Sequence, residues 1–102
     1  MDYYPIYLKL TGKPCVVVGG GNVATRKIAT LIDAGASVSV VSLSISSEIA
    51  GWIDTGAITS YRQGEYQASD LSGQLLVIAA TPSSIVNQQV FDDAEQVGVL
   101  AN

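Results

Sequence analysis

The chain has 102 residues, 48% hydrophobic and 14% charged, enough apolar side chain for one small core and too much for a disordered segment. Nine acidic residues against five basic ones leave a net charge of −4, which argues against the clustered basic face that nucleic acid needs. With no histidine and a single cysteine, Cys15, the chain can build no His-based zinc site, no Ser-His-Asp triad and no internal disulfide.

Tyr3 to Leu10 (YYPIYLKL) alternates loosely, with Ile6, Leu8 and Leu10 on one side. It predicts a short extended segment whose tyrosines, Tyr3, Tyr4 and Tyr7, cover an edge of the sheet in preference to lining a binding cleft. Thr11-Gly12-Lys13-Pro14 is a turn. Cys15 to Val18 is apolar and mostly β-branched, as a strand buried on both faces should be, with the Cys15 thiol as a small core group. Gly19-Gly20-Gly21 follows, and from Asn22 the positions Ala24, Ile28, Leu31 and Ile32 keep helical spacing to about Ala34, where Gly35 is the C-terminal cap. Ser37 to Val41 predicts a second strand. Ser44 is the expected cap of a helix carrying Ile45, Ile49, Trp52 and Ile53 on one face, with Trp52 as a core anchor and Gly56 as the stop. Ala57 to Arg62 predicts a third strand. Gln63 to Gly73 is polar and irregular, and its Glu65 and Asp70, like Asp92 and Asp93 later, are expected to be solvated. Leu75 to Ala80 predicts a fourth strand. Thr81 suits an N-cap and Pro82 the first position of a helix with Val86, Val90, Ala94 and Val97 on one face, closed by Gly98. Val99 to Ala101 starts a fifth strand. The series calls for an α/β fold: a Rossmann-like, doubly wound parallel sheet of about five strands, ordered 3-2-1-4-5, in one domain over residues 1–102. No stretch is long and apolar enough for a membrane span and no signal-peptide pattern is present, so a cytoplasmic location is expected.

Gly19, Gly21 and Ala24 satisfy G-x-G-x-x-[G/A] between strand and helix, the place a dinucleotide site requires. Gly19 permits the tight turn, Gly21 lets the backbone approach a pyrophosphate, and Ala24 keeps the helix near the sheet. The free N–H groups of the first helical turn and the helix dipole then favour an anion. In this strand order the ligand crevice lies between strands one and four, bounded by Gly19 to Val23 and Ala80-Thr81, with Ser42-Leu43-Ser44 beside the adenosine ribose. An acidic residue is expected about 20 positions after the glycines to hold the ribose 2′-OH, yet Ala34 to Ser47 contains no charged residue. No arginine is there for a 2′-phosphate either, so NAD is preferred to NADP, with Ser42 or Ser44 hydroxyls or nearby backbone groups on a neutral ribose.

Gly19 to Val41 (GGGNVATRKIATLIDAGASVSVV) resembles the opening of siroheme synthase, in the domain that is precorrin-2 dehydrogenase and sirohydrochlorin ferrochelatase. Val23-Ala24-Thr25-Arg26-Lys27 matches the family's V-A-x-R-K, and Ala34-Gly35-Ala36 its A-G-A. Ile78-Ala79-Ala80-Thr81 and Val86-Asn87 are similar to its A-A-T and V-N segments. Tyr4-Pro5-Ile6 resembles its N-terminal entry, and Trp52 with Gly56 fits the multifunctional bacterial form, so the resemblance runs across the whole chain.

The resemblance implies a Rossmann domain at the N-terminal end of a longer siroheme synthase-like protein. NAD⁺ would take a hydride from precorrin-2 to give sirohydrochlorin, with Fe2+ insertion as a further step and a homodimer as the full-length assembly. It places NAD contacts at Asn22-Val23 and Leu43-Ser44, with Thr81 flanking the nicotinamide side, in addition to Gly19 and Gly21. Arg26, Lys27 or Arg62 would offset repulsion between an acidic protein and a polycarboxylate substrate. No catalytic residue and no metal ligand is assigned within the chain, because the family's acid/base and metal-handling aspartate would lie beyond Asn102. Pro82-Ser83 departs from relatives, which often carry acids there. Two other readings stand beside this one: a non-catalytic NAD-binding regulatory module, and a cofactor-binding fragment inactive without the downstream region.

Overall fold

Five parallel strands make one sheet in the computed structural model, which describes residues 2–102. They are β1 (Pro14–Val18), β2 (Ser37–Ser42), β3 (Ile58–Gln63), β4 (Leu76–Ala79) and β5 (Leu100–Ala101), in the order β3-β2-β1-β4-β5. Helices α1 (Asn22–Asp33), α2 (Ser47–Thr55) and α3 (Ser84–Val97) carry the crossovers, and a 3₁₀ turn at Ala68–Leu71 precedes β4. The expected strand order is the observed one.

β1 explains why the sheet has a helical layer on each face. Its side chains alternate, and both sets are buried. Cys15 and Val17 point into a core shared with Ala24, Ile28 and Leu31 of α1 and Ile49 of α2, against which Trp52 also packs. Val16 and Val18 point into the opposite core, with Leu71 and with Val90 and Ala94 of α3.

Several local expectations need correction. Ser44 does not cap α2. Its carbonyl accepts from Ser42 Oγ (2.6 Å) and the Ser46 amide is held by Gly20 O (2.9 Å), which moves the helix start on to Ser46 as N-cap. Thr81 does not cap α3 and Pro82 lies outside it. The Thr81 hydroxyl is engaged by Asn87 (2.7 Å), and Ser83 Oγ accepts from Val86 N–H (3.2 Å) instead. Val97 is 64% exposed and does not join the buried face of α3 formed by Val90 and Ala94. Tyr3, Tyr4 and Tyr7 belong to no strand and cover no edge; all three are exposed, and of their segment only Leu10 packs on the core.

Candidate cofactor-binding cleft

The sheet opens where its strand order reverses, the usual ligand position in such folds. Gly19 N–H still donates to Val41 O (2.9 Å) and Ala80 N–H to Val18 O (2.9 Å), so the mouth begins directly past Gly19 and Ala80. Gly19 has φ +130°, and a Cβ there would run into the Ala80 carbonyl; only glycine serves. A Cβ at Gly20 would meet the Ser44 carbonyl and Ser42 Oγ, a packing reason that the fingerprint does not contain. Gly21 is different. Nothing lies within 4 Å of where its Cβ would stand, and the space above its backbone is open to a ligand.

Helix α1 starts at that open position. Gly21 is its N-cap, no side chain caps it, and no acid sits in its first turn, whereas α2 and α3 are capped by Ser46 and Ser83. Thr25 N–H closes the first turn onto Gly21 O (2.9 Å); the amides ahead of it project from the helix end, where the dipole favours negative charge. Thr25 is itself buried. Its hydroxyl donates to Gly21 O (2.7 Å) and lies 2.8 Å from Ser46 Oγ, tying the glycine turn to the start of α2.

The cleft beyond the turn has a volume of about 660 Å³, within the range of small-molecule sites. One wall is Ser42 to Ser44, another is Gly64 to Tyr66 from the loop after β3, and the third runs from Thr81 through Val86 to Gln89. The Thr81 corner is held by Asn87. Asn87 Oδ1 accepts from Thr81 N–H (3.2 Å) and Oγ1–H (2.7 Å), and Asn87 Nδ2–H donates to Thr81 O (3.0 Å). Tyr66 O–H donates to Asp93 Oδ2 (2.8 Å), and Gln89 Nε2–H donates to Asp93 Oδ1 (2.8 Å), joining this loop to α3. Burial, reinforced by the Asp93 carboxylate, pushes the Tyr66 phenol far above its ordinary value, so it remains a neutral donor.

Five of the seven expected cofactor residues, Gly19, Gly21, Leu43, Ser44 and Thr81, line this cleft. Asn22 and Val23 are exposed on the first turn of α1, outside its wall. Arg26 and Lys27 are exposed on α1 and line no part of it. Arg62 is already engaged: Nε donates to Asp70 Oδ1 (2.9 Å) and a terminal nitrogen to Asp70 Oδ2 (2.6 Å). Asp70 is therefore not a freely solvated group, and Asp93 is not either. Among the described residues no cluster of Cys, Asp and Glu suits a metal ion. Sequence reading missed Thr25, Tyr66 and Asn87, and placed Glu65 only as a solvated group, not in the cleft. Only the V-N segment hinted at Asn87; Thr25 meets Ser46 and Tyr66 meets Asp93 far along the chain, with no local signal.

The profile of a family described as "Putative NAD(P)-binding" matches residues 6–102. The siroheme synthase of Nitrosococcus oceani is 43% identical over all 102 residues, and that of Photorhabdus laumondii 44%. The chain spans 22% of the length of each. Among solved structures, SirC, precorrin-2 dehydrogenase, superposes with a TM-score of 0.84 at 32% identity, over 98% of this chain and 48% of that one. The apo-structure of D-lactate dehydrogenase from Escherichia coli superposes at 0.63 with 16% identity, over 92% and 29%, a likeness of fold alone. The glycine turn, the uncapped helix start and the cleft all fall inside the matched residues, and the chain belongs to this NAD(P)-binding family.

Proposed function

We propose that the chain is the NAD-binding part of a precorrin-2 dehydrogenase within a longer siroheme synthase-like protein. The observation that carries the reading is the bare start of α1 over the open backbone of Gly21, in a chain that superposes on a precorrin-2 dehydrogenase. In this reading the amides around Gly21, Asn22 and Val23 hold the pyrophosphate, and Leu43 and Ser44 border the adenosine. The Asn87-clamped Thr81 fixes the nicotinamide side. Bound NAD⁺ supplies the hydride acceptor for the oxidation of precorrin-2 to sirohydrochlorin. The chain's own work is to orient and enclose, with Thr81, Tyr66 and Gln89 on the wall already anchored. Fe2+ insertion, a homodimer and a cytoplasmic location belong to the same proposal for the full-length protein, as does an acid/base aspartate beyond Asn102.

The test is NADH formation from precorrin-2, measured with this chain and with a version extended through that aspartate. Activity in the longer form alone is expected. Equal activity in both would put the proton-handling group inside these 102 residues, and binding of NAD⁺ without turnover by either would favour a regulatory module.

A further inference from the structure

The end of β2 carries no carboxylate for an adenosine ribose. In dinucleotide folds a carboxylate there takes the ribose hydroxyls. Here the segment Ser42-Leu43-Ser44 has none, and its carbonyls are already paired. Tyr61 O–H (3.0 Å) and Gly64 N–H (3.1 Å) donate to Ser42 O, Gln63 Nε2–H donates to Leu43 O (3.2 Å), and Ser42 Oγ–H donates to Ser44 O (2.6 Å). The next loop outward, after β3, brings Glu65 into the same cleft, and Glu65 is the one charged residue in its lining. That loop is held firmly. The Arg62 guanidinium that grips Asp70 also donates to Glu65 O (2.8 Å), and Gly64 is tied back to β2. The Glu65 backbone is pinned while its side chain is exposed, and no ion pair among the described residues engages its carboxylate.

We propose that Glu65 sets the cofactor specificity of the cleft: its carboxylate accepts from the hydroxyls of the adenosine ribose and repels a 2′-phosphate. The inference rests on the dinucleotide reading above and assigns to the β3 loop a role that the second strand holds in related folds. Two arguments of charge support it. Hydrogen bonds to an ionised acceptor are about twice as strong as neutral ones, and a ribose diol offers two donors to a single carboxylate. A 2′-phosphate would instead enter a cleft whose only lining charge is negative and whose wall contains no lysine or arginine.

Equilibrium titration of the chain and of Glu65→Gln and Glu65→Arg with NAD⁺, NADP⁺ and 2′-deoxy-NAD⁺ tests it. The unaltered chain is expected to favour NAD⁺ over NADP⁺ by about tenfold or more, and over the 2′-deoxy analogue several-fold. Glu65→Gln should erase the penalty for the missing 2′-hydroxyl, and Glu65→Arg should turn the preference toward NADP⁺. The side chain is exposed, so the melting curves of both variants should match the parent and any change in selectivity is local. If Glu65→Gln keeps the parent's ratios for all three nucleotides, the inference fails while the dinucleotide site stands. If the unaltered chain binds none of them, the dinucleotide reading itself fails and takes the inference with it.

Discussion

Gly19 and Gly21 are glycines for different reasons, and alanine separates them. At Gly19 the left-handed backbone (φ +130°) and the adjacent Ala80 carbonyl both oppose a side chain. Gly19→Ala should therefore cost about 2 kcal/mol or more of stability, read as a lower denaturant midpoint. At Gly21 the backbone is ordinary (φ −91°) and a Cβ meets no protein atom. Gly21→Ala should leave stability within about 1 kcal/mol, the usual cost of alanine at an N-cap, while weakening NAD⁺ about tenfold or more by filling the space a pyrophosphate needs. Loss of stability at Gly21 with unchanged affinity would remove the anion site from the head of α1. The glycine pattern was legible because its spacing lies within six consecutive residues, Gly19 to Ala24, although the carbonyl that crowds Gly19 belongs to Ala80. The reason for Gly20 was not, since the atoms that crowd it belong to Ser42 and Ser44.

The helices themselves could be read from apolar spacing, and their stops from Gly35, Gly56 and Gly98. The start of α1 at Asn22 could be read as well, but those of α2 and α3 could not. A serine or threonine caps only if its hydroxyl is free and the chain has completed its turn, and in both cases a neighbour decided the matter. Ser42 turns back on Ser44 and Asn87 engages Thr81, so capping passes to Ser46 and Ser83. Ser46 has a second task through Thr25 Oγ1, 2.8 Å away. Ser46→Ala should cost about 1–2 kcal/mol in chemical denaturation, for a cap and a half-buried hydroxyl pair lost together. Ser44→Ala, outside the helix, should stay within about 0.5 kcal/mol. Equal costs for the two would return the cap to Ser44.

In the molecule as a whole, β1 lies between β2 and β4 with a helical layer over each face. Cys15 is fully buried in that strand, and burial raises its thiol above the ordinary cysteine value. Both effects suppress the thiolate that reacts. Alkylation of Cys15 at neutral pH should be negligible in the folded protein, and its rate should rise with denaturant in step with global unfolding, because the centre of a sheet opens last. Labelling at the rate of a free thiol under native conditions would displace β1 from the centre.

From the sequence alone came the buried central strand, the glycine turn into α1 and the strand order, because each depends on local periodicity or on the fixed hand of parallel crossovers. The tertiary structure alone decided which side chains from separate loops share the cleft. Tyr66 meets Asp93 across 27 positions, and Thr25 meets Ser46 across 21. Glu65 reaches the same space as Ser44 only because β3 lies beside β2. Such meetings follow from how strands pair and loops fold back, and no window of neighbouring residues encodes them.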